Sequence, residues 1–166
     1  MIKRVYRWLA YLIAAGVILQ AAAIAYAVFG MFEWVSTGGT IDKALIESDD
    51  PQIGGLAGFN LHQLVGVTIF PLLALLFVII SFFARIPGGI KWALIVLGAT
   101  VVQALLGIYS HEVSAVGWLH GAMALILFSC AVAAGIRVNR KPATNVRTSV
   151  QPDSADTASA TNPDNA

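Results

Sequence analysis

Charged residues are absent from most of four long stretches of this chain: Trp8 to Met31, Leu61 to Ala84, Ile90 to Tyr109 and Val116 to Ile136. Each is close to the roughly 20 apolar residues that an α-helix needs to cross the hydrocarbon of a bilayer. The pattern predicts an all-α integral membrane protein, an up-down four-helix bundle over residues 1–137 with an outer loop at 32–58. Arg85-Ile86-Pro87-Gly88-Gly89 is a short connection, which makes the second and third helices antiparallel neighbours. Pro71 falls inside the second span, where it removes one backbone hydrogen bond and kinks the helix. Thr68 is placed to help satisfy the freed carbonyl region.

Composition agrees with the pattern: 58% of the 166 residues are hydrophobic and 11% charged, against about 25% charged in soluble domains. The net charge of +1 matters less than where the charges lie. Lys3, Arg4 and Arg7 precede the first span, Arg85 and Lys91 flank the turn between the second and third, and Arg137, Arg140, Lys141 and Arg147 follow the fourth. Lys43 alone is left for the other side. Because cytoplasmic flanks carry the Lys/Arg excess, the sequence reads as a multi-pass plasma-membrane protein with both termini cytoplasmic. Topology and headgroup contacts account for these residues, and no basic patch for nucleic acid is present. Met1 to Ala27 has a basic start and Ala25-Tyr26-Ala27 as a small-residue site, as in a secretory signal. Its apolar stretch continues to Met31, however, past the about 7–15 residues of a signal core, and is read as a span.

Between the spans, Gly38-Gly39, Asp50-Pro51 and Gly54-Gly55 break up the outer loop. Within it, Ile41, Leu45 and Ile46 form an amphipathic turn over Ile41 to Ser48 that suits the membrane surface as a lid. Its acidic residues have no accompanying histidine and read as a solvated face. The tail, 138–166, is rich in Ala, Ser, Thr, Asn, Asp and Pro without apolar periodicity, and is expected to be disordered. Cys130, the single cysteine, excludes an internal disulfide and a thiolate-held iron–sulfur cluster, and reads as a small packing residue.

Two imidazoles lie inside the apolar runs, where ionisable groups are costly and by default functional. His62 opens the second span and His120 the fourth, each about one turn below the outer surface. In an up-down bundle these helices lie diagonally opposite and parallel. Neighbouring axes about 8–10 Å apart give a diagonal of roughly 11–14 Å, close to what two imidazoles with an iron between them require. Gly66 after His62, Gly121 and Ala124 beside His120, and Gly107 on the face of Gln103 offer walls without bulk for a flat macrocycle. Imidazole is a standard axial ligand of haem. The candidate site is therefore His62 and His120 as metal ligands, with Gly66, Gln103, Gly107 and Gly121 around a b-type haem. Asn60, Gln63 and Gln103 are candidates to orient the ligands, and Tyr109, Trp118 and His111 to bond propionates. Gln20 reads as interhelical glue, among the small surfaces of Ala14, Gly16, Ala21 and Ala25. His111 beside Glu112 reads as solvated, with a lesser reading as an alternative ligand. For either histidine alone, the plain alternative is an interfacial or interhelical hydrogen bond.

With His62-Gln63-Leu64-Val65-Gly66 opening the second helix, Gln103-Ala104-Leu105-Leu106-Gly107 in the third and Leu119-His120-Gly121 opening the fourth, the chain resembles one half of a heme A synthase. It is also similar to small four-span membrane proteins related to that fold. The resemblance covers Trp8 to Arg137 and implies a four-helix bundle holding haem near the outer face through one histidine on the second helix and one on the fourth, here His62 and His120. The chain departs from the family in lacking a cysteine pair in the first outer loop. Asn60, Leu61 and Gln63 stand where a glutamate before the first histidine and an arginine after it are expected.

No nucleophile constellation or phosphate-binding glycine loop is present, which leaves a hydrolase or NTPase without its chemistry. The function expected is electron transfer or haem handling, with a redox partner or quinone. Two alternatives stand beside it: a heme A synthase-like oxidoreductase using Glu47 or Glu33 as an outer-face acid, and a cofactor-free structural subunit of a membrane complex.

Overall fold

In lipid every backbone N–H and C=O must be satisfied within the segment itself, and long apolar runs accordingly fold as helices. A computed structural model of the chain describes residues 1–47 and 55–139. Its α-helices are α1 (Ile2–Ser36), α2 (Lys43–Ile46), α3 (Leu56–Leu64), α4 (Phe70–Ala84), α5 (Gly89–Ser110) and α6 (Val116–Arg137). A π-turn, Val65–Ile69, joins α3 to α4 without a break. The described residues are all-helical, and four helices, Leu56–Ala84 counted as one, are long and apolar enough to cross a membrane.

The helices outrun the apolar stretches. α1 continues past Met31 until Thr37 and Gly38, where a positive φ of 95° ends it and the Ser36 and Thr37 hydroxyls donate to the Glu33 carbonyl. The second long helix begins at Leu56 rather than Leu61. Helical hydrogen bonding continues past the apolar stretches, because polar side chains do not themselves stop it. Pro71 is accommodated by the π-turn: Phe70 N–H bonds back to the Val65 carbonyl, five residues away. That wider turn takes up the bond the proline cannot make. Thr68 is exposed on the outer side of this helix.

Packing follows the order of the chain. α1 lies against α3, α4 and α6, and α5 against α4 and α6. At one end the Tyr6 hydroxyl donates to the Gly89 carbonyl at 3.0 Å, Arg7 donates to Asn139, and the Arg137 guanidinium sits 4.4 Å over the Trp92 ring. This end joins the starts of α1 and α5 to the end of α6. At the other, Gly55 and Gly58 rest against the α1 backbone at Ala23 and Ala27, so closely that a Cβ on either would overlap it. Tyr6→Phe deletes one buried hydrogen bond and is expected to cost about 1 kcal/mol in thermal denaturation in detergent.

The buried side chains form a single cluster that includes Tyr6, Ala10, Ile13, Ala14, Phe70, Phe77, Val78, Ala93, Val96, Ala99, Leu127, Ala131 and Ala134. Small residues dominate it, and Gly135 lets the Tyr11 ring lie on the α6 backbone. Close approach of this kind holds helices together in lipid, where apolar burial by itself gives no driving force. Large side chains such as Trp8, Leu19, Phe29, Leu72, Phe82 and Leu125 point outward, as suits a multi-pass membrane protein. This cluster lies toward one end of the bundle. On α5 nothing beyond Thr100 is buried, and on α6 nothing before Leu127.

Candidate functional site

Gln20, His62, Gln103 and His120 meet in the other half. One comes from each long helix. α3 brings His62 and α6 brings His120 to ring centres 6.0 Å apart, with ring planes at 72°. Neither ring is fully exposed. Beneath them, Phe70 packs on Gly16, where a Cβ would lie 2.7 Å from the ring, and marks the upper limit of the core.

Each imidazole is tied to a neighbouring helix by the same atom. His62 Nδ1 lies 3.2 Å from the Gln20 carbonyl, and His120 Nδ1 lies 3.0 Å from the Gln103 carbonyl. A carbonyl only accepts, so both Nδ1 atoms carry the proton and both rings hold their lone pair on Nε2. This is the arrangement in which a histidine presents Nε2 to a metal while a backbone carbonyl fixes its tautomer and orientation.

The glutamine side chains are used differently. Gln20 Nε2 donates to the His62 backbone carbonyl at 2.9 Å, whereas Gln103 Nε2 lies 3.2 Å from His120 Nε2 and donates to its lone pair. Gln103 Oε1 is buried with no hydrogen-bond partner.

The glycines divide into two groups. A Cβ on Gly107 would lie 3.0 Å from the His120 ring, and one on Gly66 3.1 Å from the Gln20 amide, so both keep space for these side chains. Gly121 is exposed with nothing near it, on the outer side of α6. Gly107→Val is expected to displace the His120 ring and break its Nδ1 bond. The overpacking should cost about 1–3 kcal/mol in thermal denaturation, and the hydrogen-bonded imidazole N–H resonance should disappear.

The remaining candidates lie outside this cluster. Asn60 and Gln63 are exposed and share an outward stripe of the second helix with Leu64, Val67 and Thr68. Tyr109, Trp118 and His111 are exposed. Glu33 is exposed near the end of α1, and Glu47 pairs with Lys43 at 3.6 Å on the surface. Lys43–Ile46 is helical within the segment expected to form a lid, while Ser48, Asp49, Asp50, Pro51 and Gly54 lie outside the described residues, as does the tail from 140 onward. Cys130 is half-buried against the core.

Sequence reasoning did not pair Gln20 with His62, although a signal was present. Gln-Ala followed five residues later by Tyr occurs at Gln20-Ala21 and Tyr26 and again at Gln103-Ala104 and Tyr109. Leu-His followed eight residues later by Phe occurs at Leu61-His62 and Phe70 and again at Leu119-His120 and Phe128. Each half of the chain thus carries one glutamine helix and one histidine helix, and the same carbonyl-to-imidazole bond closes each pair. Compared with protein-family models, curated proteins and solved structures, the chain matches none of them.

Proposed function

We propose that the protein is an up-down four-helix bundle of the plasma membrane, both termini cytoplasmic, that binds one b-type haem between His62 and His120 near its outer face. Its role is electron transfer or haem handling. The observation that carries this reading is the pair of imidazoles itself, brought together from two helices with each Nδ1 hydrogen-bonded to a carbonyl and each lone pair therefore on Nε2. Two imidazoles sharing a metal, each nitrogen about 2 Å from it, have ring centres roughly 6 Å apart, and the rings here are 6.0 Å apart.

The donor set favours a macrocycle over a bare ion. Among the described residues no cluster of three or more His, Cys, Asp or Glu could hold a metal. Haem iron needs only axial ligands from the protein, and two histidines supply both. Such a group contributes reversible one-electron chemistry, which implies a redox partner, protein or quinone. The chain's own residues hold the ligand tautomers through Gln20 and Gln103, and Phe70 on Gly16 keeps the packed core below the site. The resemblance to one half of a heme A synthase supports the same two ligands. The synthase reaction itself gains nothing from Glu33 and Glu47, both exposed.

A second reading has its own observation: the Gln20–His62 and Gln103–His120 bonds join helices without any cofactor, as in a purely structural subunit. Spectra separate the two. Protein expressed with supplemented haem and reduced with dithionite should show the sharp bands of six-coordinate haem b, and a colourless preparation supports the structural reading.

A further inference from the structure

The two halves of the site are alike in their backbone bonds and unlike in their glutamine amides. The Gln20 amide is spent on a backbone carbonyl, and among the described residues nothing hydrogen-bonds to His62 Nε2. The Gln103 amide is aimed at His120 Nε2, the atom a metal would use. One lone pair serves one partner at a time, so Gln103 is a built-in competitor for His120 and for His120 alone.

We propose that the two histidines are unequal ligands: His62 is fixed, His120 is exchangeable against the Gln103 amide, and the site admits a small diatomic molecule on the His120 side. This rests on the haem reading above. His120 Nε2 would serve either the metal or the Gln103 N–H, and with the amide bonded to it a molecule carrying its own lone pair could be held in its place. No electron or proton is transferred between molecules. In its hydrogen-bonded position the His120 ring packs on the bare backbone of Gly107, where a Cβ would lie 3.0 Å from it. The buried, unpartnered Gln103 Oε1 is a second observation on the same side, an acceptor left without a donor beside the exchangeable position.

Carbon monoxide titrated into the dithionite-reduced, haem-loaded protein tests this. The six-coordinate spectrum should convert to that of the carbon monoxide complex. Gln103→Met removes the competing amide but keeps the backbone carbonyl that orients His120, and Gln103→Leu does the same if the first variant fails to accumulate. Either should raise the half-saturating carbon monoxide concentration roughly tenfold, the equivalent of one hydrogen bond of about 1.4 kcal/mol. His120→Ala should keep a five-coordinate pigment that binds carbon monoxide without delay. A reduced wild-type spectrum unchanged at saturating carbon monoxide overturns the proposal, as does equal affinity in wild type and Gln103 variants. Absence of pigment in the wild type instead defeats the haem reading, so the two failures are distinct.

Discussion

Replacing His62 with alanine is expected to abolish haem retention, and replacing His120 with alanine to abolish the six-coordinate spectrum. Each removes an Nε2 whose orientation is fixed by a helix carbonyl, from Gln20 at 3.2 Å and from Gln103 at 3.0 Å. The losses should be nearly complete, because the proposed site offers only two ligating side chains. Fold is not expected to fail with them, since both rings lie outside the buried cluster that runs from Tyr6 to Ala134. Size-exclusion profiles should match the wild type while the absorption spectrum changes. Exposed His111 is the control, and His111→Ala should leave the spectrum as it was. Equal pigment loss in all three variants would point to general destabilisation instead.

Phe77→Ala is the substitution expected to cost most stability. Phe77 is fully buried, its ring centre 4.5 Å from that of Tyr6. In a water-soluble core such a truncation costs about 3–5 kcal/mol, part of it transfer from water and part the cavity left behind. In lipid the transfer part falls away and lost packing remains, which gives about 2–3 kcal/mol. Phe82, 60% exposed on the same helix, makes the comparison decisive. Phe82→Ala should change stability by well under about 0.5 kcal/mol, because lipid chains replace its ring. Denaturation in mixed detergent micelles measures both, and similar costs for the two would contradict the assignment of inward and outward faces.

The spans were legible because a run of about 20 apolar residues has few other uses. Their ends were not. Residues such as Glu33 and Ser36 are polar yet helical, since the backbone ladder persists wherever nothing breaks it. Pro71 marked a disturbance, but whether a helix answers a missing N–H with a bend or with a π-turn depends on neighbouring packing that the sequence does not display. Within the site, depth along the helix brought His62 and His120 to one level. Rotation around it sorted their neighbours: Gly121 and Gln63, one residue on, are turned by about 100° and lie outside, whereas Gly107, a full turn from Gln103, faces in. The Gln20 partnership required recognising that the Gln-Ala and Leu-His spacings occur twice, and helix depth alone carries no such information.

The most direct measurement is the haem content and reduced-minus-oxidised spectrum of the wild-type chain purified from haem-supplemented cells. One haem b per chain with a six-coordinate spectrum is the result predicted here. A colourless protein that takes up no haem on titration, with its helices intact by circular dichroism, would contradict it.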